Sequence, residues 1–261
     1  MSLGIEGIAA VVGASVIPPI IYLIWVRQSE VRRREPAADL LRAFLFGATV
    51  SIGAAFLIES GIALLLFSGN PFSRVMWGLD SISAELQLFL LAVIIAPVVE
   101  ELVKAAGLGT VFRNLTEIEN GIIYGAAVGL GFAAIENILY LGDALVTGLE
   151  IFIVTAVTRA ISSTLLHASA TGVAGYGVAR YKLAGEEGVA THYIQFLIIA
   201  ILMHAVFNFF AILGVIYSDG GENAFFVGLI VSIMLAVLSF TFIRRKIREL
   251  DLESDLAFGR M

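Results

Sequence analysis

The sequence predicts an all-α protein, a polytopic bundle of transmembrane helices with about seven spans. Of its 261 residues, 59% are hydrophobic and only 15% are charged, against about 25% charged residues in a typical soluble domain. The mean hydropathy is +0.95. Apolar segments of about 20 residues recur along the whole chain, and that length crosses about 30 Å of hydrocarbon. We therefore expect residues 1–261 to form a single integral membrane domain.

The predicted spans follow one another with short connections, at residues 4–26, 42–67, 86–110, 121–141, 151–178, 193–217 and 225–243. The first contains Pro18-Pro19 and is predicted to be kinked or broken there. It lacks a basic segment before it, so we interpret it as a retained span rather than a signal peptide. In the fourth span, Gly121, Gly125 and Gly129 stand four residues apart, a spacing that lets two helices approach closely in lipid.

Basic residues are concentrated in alternate connections, and this predicts the orientation. Arginines follow the first span, and Arg244, Arg245, Lys246 and Arg248 follow the seventh, whereas the opposite connections are mainly acidic. The positive-inside rule then places the N-terminus outside and the C-terminus in the cytoplasm. Residues 244–261 are expected to be a charged, solvated helical tail. We expect a multi-pass protein of the plasma membrane whose surroundings are the lipid bilayer, and the sequence supports no nucleic-acid partner.

The third span holds three charged residues within little more than one helical turn, Glu100, Glu101 and Lys104. A charge at the bilayer centre costs about 2.5–3.5 kcal/mol on insertion scales, so such groups mark functional or paired sites. Both glutamates lie on the same face as the lysine, at i,i+4 and i,i+3. We expect the lysine to neutralise only one carboxylate well and to leave the other as a general base or acid.

Three further spans carry polar groups that lipid would penalise, so we expect their polar faces to converge on one interior. By contrast, Glu59 lies near the outer end of the second span and is predicted to be interfacial. The converging groups are Glu136, Asn137 and Tyr140 in the fourth span, Arg159, Ser163, His167 and Thr171 at i,i+4 spacing in the fifth, and His204 and Asn208 in the sixth.

Several known chemistries are excluded by the sequence. The absence of cysteine excludes thiol nucleophiles and thiolate metal sites, and no Gly-x-Ser-x-Gly or His-Glu-x-x-His motif occurs. Aspartates occur only in connections, at a span end or in the tail, which disfavours an aspartate dyad. A glutamate and histidine centre remains, which could activate water directly or through zinc. A proton- or cation-coupled transporter or channel and a non-catalytic scaffold are the alternative interpretations.

The ordered motifs resemble those of the PrsW family of intramembrane proteases, which is related to the CAAX prenyl protease and bacteriocin-processing group. The similarity covers roughly residues 90–210, a core of four helices, and leaves the first two spans and the last outside it. It implies cleavage of a membrane-anchored protein, such as an anti-sigma factor. The motifs are Glu100-Glu101-x-x-Lys104, Phe132-x-x-x-Glu136-Asn137-x-x-Tyr140, Arg159 to His167, and His204-x-x-x-Asn208.

The resemblance also implies that the paired glutamates, the Glu-Asn motif and a motif histidine are essential. It leaves the cofactor undecided, because the family has been described both as metallo-type and as glutamate-type. If zinc is bound, the candidate ligands are His167, His204, Glu100 and Glu136.

We assign the remaining roles from chemistry. Glu100 or Glu101 would be the base that activates water, and the other glutamate with Lys104 would set its protonation. His167 and His204 would be proton donors or metal ligands, Glu136 a second acid or base, and Arg159 its ion-pair partner. Asn137 and Asn208 would donate hydrogen bonds to the oxyanion. Counting helix rise places Glu136 roughly 10 Å from the depth of Glu100 and His167, which would make it positional rather than catalytic.

Overall fold

A computed structural model describes residues 4–32, 34–68, 82–185, 190–217 and 222–257, and regular structure in these residues is helical. The described part of the chain contains seven helices that are long and apolar enough to span a membrane, as predicted. The orientation of the two termini stays a prediction. The seven spans are Ile5–Arg27, Ala37–Phe67, Ala84–Asn114, Ile118–Thr147, Leu149–Leu183, Tyr193–Ala211 and Glu222–Glu253.

Two spans change helix type along their length. The second consists of α-helix over Ala37–Phe46, a π-helical segment at Gly47–Ser51 and α-helix again over Ile52–Phe67. The third begins as α-helix at Ala84–Phe89 and passes through a second π-helical segment, Leu90–Ile95. It then returns to α-helix at Ala96–Ala106 and ends in a 3₁₀ segment, Gly107–Asn114. The π-helical segments frequently mark functional sites, and hydropathy does not reveal them.

The other spans are closer to simple helices. The first is one unbroken helix, Ile5–Arg27, so the break expected at Pro18-Pro19 does not occur. The fifth is divided at Ser162, which separates helices Leu149–Ile161 and Ser163–Leu183. The sixth lies in helix Ala190–Ala211 and is followed by the short helix Leu213–Ile216.

The predicted tail is a continuation of the seventh span, because one helix runs from Glu222 to Ala257. Residues 258–261 of the tail lie outside the described part of the chain. The expectation that the tail is fully solvated is not met. The carboxylate of Asp251 is buried and accepts hydrogen bonds from the backbone N–H groups of Val31 and Arg32, at 2.8 and 3.3 Å. The tail therefore binds the loop between the first two spans.

The fourth span is the central helix of the bundle, and every residue from 119 to 134 is buried. Its glycines allow this, as the four-residue spacing predicts. A Cβ atom on Gly125 would lie 2.3 Å from the carbonyl oxygen of Thr171, and one on Gly129 would lie 2.1 Å from that of His167. On the other side, Gly131 gives the same close approach to Phe44 of the second span. Helix backbones thus touch on both sides, which fixes His167 beside the fourth span.

Candidate active site

A cavity of about 590 Å³ lies among the second to sixth spans and collects most of the polar groups that the sequence singles out. Apolar residues from the same spans form the rest of its wall, among them Phe56, Phe132 and Phe207. The expected convergence of the polar faces is therefore found. The charged and strongly polar residues that line the cavity include Glu59, Glu100, Glu136, Arg159, His167 and Asn208.

Lys104 lies directly behind this wall and is fully buried. Its ammonium nitrogen is 2.7 Å from Glu101 Oε1 and 3.1 Å from Glu100 Oε2. It also lies 4.3 Å above the ring centre of Phe132, a favourable cation–π position. The expectation that the lysine neutralises only one glutamate is wrong, because one turn of helix brings both carboxylates within reach of its flexible end.

The two adjacent glutamates have different surroundings. Glu101 has no exposed surface, and its carboxylate accepts hydrogen bonds from Lys104, from Thr171 Oγ1 at 3.0 Å and from His204 Nδ1 at 3.0 Å. Glu100 lines the cavity, and its buried Oε2 is held by the ion pair with Lys104 and accepts no other hydrogen bond from the described residues. Glu100 is thus the glutamate that lines the cavity, and Glu101 binds Lys104, Thr171 and His204 behind it.

Each histidine is held by a carboxylate through one ring nitrogen. His204 Nδ1 donates to Glu101, and His167 Nε2 lies 2.9 Å from Glu136 Oε2. The hydrogen-bond network thereby assigns the tautomers. The other nitrogens, His204 Nε2 and His167 Nδ1, each lie 3.9 Å from Glu100 Oε2. The two rings are perpendicular, with centres 5.0 Å apart.

This arrangement fits a metal ion by ligand type and approximate spacing. The candidate donor atoms of Glu100, His167 and His204 all lie within 4.8 Å of one another. A tetrahedral zinc site with bonds of about 2.0–2.1 Å has neighbouring ligands about 3.3 Å apart, so a small contraction would be needed. Carboxylates that hold the far side of both imidazoles are typical of metal sites. His167 Nδ1 is also 2.9 Å from Lys104 Nζ, which would have to move aside.

Glu136 is expected to be a candidate metal ligand, but it lies outside this converging group. Its Oε2 contacts His167 Nε2 and pairs with Arg159 Nη2 at 2.5 Å, which confirms the predicted Glu136–Arg159 ion pair. The expected 10 Å separation in depth is wrong. The fourth and fifth helices extend several residues beyond the predicted spans, and errors at their ends add when depths on antiparallel helices are compared.

Asn137 does not face the cavity as an oxyanion donor should. Its Nδ2 donates to Thr164 Oγ1 at 3.0 Å, and its Oδ1 accepts from Arg159 Nε at 2.6 Å. Arg159 is held further by Ser163 Oγ at 3.0 Å and lies 3.8 Å above the ring centre of Tyr140. The amide of Asn137 therefore positions the guanidinium group rather than a substrate.

Comparisons with known proteins identify the family. Residues 35–242 match the family described as PrsW family intramembrane metalloprotease. The chain belongs to the PrsW family. It is therefore an intramembrane protease with multiple spans, and the transporter alternative does not apply. The match is wider than residues 90–210, because it includes the whole second span and part of the last.

Three PrsW relatives are similar over most of their length. Protease PrsW of Clostridioides difficile (strain 630) is 30% identical over 199 residues, which are 75% of this chain and 76% of the relative. Protease PrsW of Bacillus subtilis (strain 168) is 24% identical, over 77% and 82% of the two chains. Protease PrsW of Geobacillus kaustophilus (strain HTA426) is 27% identical, over 76% and 78%. No solved structure matches the chain.

In this PrsW family member, Asn208 supports the second π-helical segment. The backbone N–H of Ala96 bonds to the carbonyl of Leu91, which is π-helical i,i−5 spacing. The next such bond would join residue 97 to Ala92, but Pro97 has no N–H to donate. Asn208 Nδ2 takes that place and donates to Ala92 O at 2.8 Å. Asn208 also lines the cavity, so its second amide hydrogen can serve a substrate.

Glu59 is a cavity residue of this PrsW protein that sequence reasoning missed. It was expected at the membrane interface, yet it lines the cavity with Glu100 and Glu136. Ala55 and Ala63 stand four residues to either side of Glu59, and both line the cavity too. Small residues at i,i+4 spacing on both sides of an acid are the sequence signal that could have assigned Glu59 to the cavity.

Proposed function

We propose that this PrsW protease hydrolyses a peptide bond of a membrane-anchored protein substrate with Glu100 as the general base. One observation carries the assignment. Glu100 is the member of the glutamate pair that lines the cavity, and Lys104 is the described partner of its Oε2, whereas three donors occupy the carboxylate of Glu101. A base must lie within hydrogen-bond reach of the water that it deprotonates, and a carboxylate on the cavity wall meets that condition.

The surrounding residues then have distinct roles. Lys104, 3.1 Å from Glu100 Oε2, stabilises the carboxylate form before the proton is taken. His167 Nδ1 lies 3.9 Å from the same oxygen and 2.9 Å from Lys104 Nζ, so the proton that Glu100 takes from water can pass to Nδ1 once the lysine shifts. The histidine then gives this proton to the leaving amine as the C–N bond breaks. Glu136 accepts from His167 Nε2 and stabilises the imidazolium that forms. Glu101 orients His204 and keeps Lys104 in place.

Negative charge that develops on the scissile carbonyl oxygen needs donors in the cavity. Asn208 has a second amide hydrogen there, and Arg159 lines the same cavity in a fixed orientation. Loss of one such donor typically lowers the rate by about 10²–10³. We assign Asn208 as the oxyanion donor and Arg159 as the nearby positive charge.

Zinc is the alternative within the proposal: where it is bound, Glu100, His167 and His204 would hold it, and Glu100 and His167 would then act as ligands instead of as base and proton donor. A zinc ion there would supply Lewis-acid polarisation of the scissile carbonyl group. The substrate is proposed to have a single transmembrane segment, of the anti-sigma-factor type that the sequence resemblance implies.

The test compares the metal content and the activity of one set of purified proteins. The wild type, Glu100→Gln, His204→Ala and the exposed control Glu150→Gln are purified in detergent without added metal or chelator. Zinc is measured by elemental analysis, and cleavage of a single-pass substrate is followed with and without chelator.

We expect Glu100→Gln to lose cleavage and Glu150→Gln to keep it. Stoichiometric zinc that disappears in His204→Ala would support the proposed ligand set. Cleavage that persists in chelator, by protein without metal, would show that the glutamates act unaided. Full activity of Glu100→Gln would overturn the assignment of the base.

A further inference from the structure

One charged residue of the cavity has no role in the proposed reaction. Glu59 comes from the second span, and its Oε1 is buried and accepts no hydrogen bond from the described residues. Its electrostatic neighbours are Glu100, Lys104 and Glu136. Two of these three are carboxylates, and Lys104 is the cation among them.

The cations of the site are already paired with other acids. Arg159 pairs with Glu136 at 2.5 Å, and Lys104 pairs with both members of the glutamate pair. A metal held by Glu100 and the two histidines would also leave Glu59 without a direct partner, because Glu59 is not among the converging donor atoms. In the part of the chain that the structure describes, Glu59 therefore lacks a counter-charge within bonding distance.

The surroundings of Glu59 favour a long cationic side chain as its partner. The cavity wall beside it is largely apolar, with Ile52, Phe56 and Leu139. A lysine or arginine side chain can pack its aliphatic stem on such a wall and bring its charge to a carboxylate at the end. A charge pair in a poorly solvated cavity is stronger than one on the protein surface.

The wall that carries Glu59 is also loosely held. In the described helix Ile52–Phe67, Ala55 is the residue that is buried. The π-helical segment before it is held more firmly, because the Ser51 hydroxyl donates a hydrogen bond to the carbonyl of Val103 at 3.1 Å. Beyond Ser51 the helix packs less against the bundle, so a substrate segment can lie against Glu59 from the membrane side.

We propose that Glu59 is a specificity-determining residue that binds a lysine or arginine side chain of the substrate close to the cleaved bond. The inference rests on the proposed function, since it takes the cavity to be the place where the peptide is cut. It adds the substrate class: membrane-anchored segments with a basic residue near the scissile bond.

The first experiment scans one basic residue through a single-pass substrate. Lysine, arginine or methionine is placed at each position on both sides of the cleaved bond, which is mapped by mass spectrometry. Values of kcat/KM are measured for the wild type, Glu59→Gln, Glu59→Lys and the exposed control Glu150→Gln. Glutamate is added to the substrate scan for Glu59→Lys.

We expect the wild type and Glu150→Gln to prefer lysine or arginine over methionine at one position. The preference should be about 10–100-fold, the usual effect of a hydrogen bond to a charged group. Glu59→Gln should lose it, mainly through a higher KM for the basic substrate, and Glu59→Lys should transfer it to glutamate. A preference that survives Glu59→Gln, or no preference at any position, would overturn the proposal.

A binding measurement separates this inference from the catalytic proposal. In a Glu100→Gln background, a fluorescent transmembrane peptide with lysine should bind about 10–100-fold more tightly than its methionine counterpart. Adding Glu59→Gln should abolish that difference, and an undiminished difference would contradict the role of Glu59. Cleavage by Glu100→Gln would instead refute the base assignment and leave the result for Glu59 intact.

Discussion

Glu100 and Glu101 are neighbours in sequence, and both contact the same lysine. Successive residues of a helix point about 100° apart, so one carboxylate faces the cavity and the other faces the interior of the bundle. Three described donors satisfy Glu101, whereas Glu100 lines the cavity and its Oε2 contacts Lys104. In the proposed mechanism Glu100 acts in the chemistry and Glu101 supports the site, and each role can be tested separately.

Replacing each glutamate with glutamine should affect different properties. Glu100→Gln should lower kcat by about 10²–10⁴, the usual contribution of a general base, with a smaller loss of stability than Glu101→Gln, because only Glu101 also binds Thr171 and His204. Glu101→Gln should also lower stability, because it weakens the compensation of a fully buried ammonium group, and breaking such a pair costs about 3–5 kcal/mol. Cleavage rates and thermal unfolding in detergent measure the two effects.

The matched control is Glu150→Gln, which makes the same chemical change on an exposed side chain and should alter neither property. Equal unfolding temperatures for Glu100→Gln and Glu101→Gln would contradict the division of roles.

At the scale of the helices, the contact between the fourth and fifth spans determines where His167 lies. Gly129 touches the backbone carbonyl of His167, and no side chain larger than hydrogen fits between them. Gly142, on the same helix, has no described neighbour within 4 Å of the position where a Cβ atom would lie. The same substitution at these two glycines therefore separates packing from helix propensity.

Gly129→Ala should push the two helices apart and move His167 away from Glu100. Overpacking of this kind costs about 1–3 kcal/mol or more, and it should also lower the cleavage rate. Gly142→Ala should be neutral or stabilising by up to about 1 kcal/mol, because alanine favours helix. Unfolding temperatures and cleavage rates should be measured for both variants. Equal behaviour of the two would show that the close contact is unimportant.

The π-helical segment of the third span provides a second test at this scale. Asn208→Leu should leave the carbonyl of Ala92 without a donor, at a cost of about 1–3 kcal/mol. Adding Pro97→Ala restores a backbone N–H at the position from which a π-helical bond would reach that carbonyl. The double variant should therefore unfold at a higher temperature than Asn208→Leu alone.

Pro97→Ala in the wild type is the control, and it should gain less because Asn208 already bonds Ala92 O. The same effect of Pro97→Ala with and without Asn208 would contradict this account of the segment.

At the scale of the whole molecule, a polar cluster whose residues do not line the cavity connects the N-terminal and C-terminal parts of the chain. The loop between the first two spans holds Glu30, which accepts a hydrogen bond from the backbone N–H of Glu35 at 2.7 Å. The Glu35 carboxylate accepts hydrogen bonds from Asn120 and Tyr124 of the fourth span. Asp251 of the last helix binds the same loop.

Burial raises the pKa of Glu30 from 4.5 to about 8, and the neighbouring carboxylates of Glu35, Asp251 and Glu119 add to the rise. The hydrogen bond from the Glu35 backbone opposes it. Burial likewise raises the pKa of Glu35, against the lowering effect of its hydrogen bond with Tyr124. Both groups hold their protons more tightly in the folded protein than in the unfolded chain.

The direction of the pH dependence follows from proton linkage. Between pH 4.5 and about 8 the folded state binds more protons at Glu30 than the unfolded state does, so stability falls as pH rises through this range. Glu30→Gln cannot ionise and should show a smaller fall. Unfolding temperatures across this pH range should be compared with those of Glu150→Gln, which should follow the wild type. A pH dependence in Glu30→Gln as steep as that of the wild type would contradict the assignment.

Much of this protein follows from local properties of its sequence. Hydrophobic length predicts seven spans, because the thickness of the bilayer sets the length of a helix. The i,i+4 spacing predicts which polar groups share a helix face, and the four-residue glycine spacing predicts a close helix contact. Glu100, Glu136 and His167 could be singled out in this way, since charges are rarely placed in lipid without a purpose.

Only the tertiary structure decided how those groups meet. The roles of Glu100, Glu101 and Asn137 depend on how far each helix is rotated about its axis, and Glu136 contacts His167 because of the relative depth of two helices. The position of Glu59 in the cavity depends on how the second span packs beside the third to sixth spans, which form the rest of the cavity wall. The rotation and the depth of each helix are set by backbone contacts between residues distant in sequence and by π-helical turns. The hydrophobic pattern along a single segment carries no information about either.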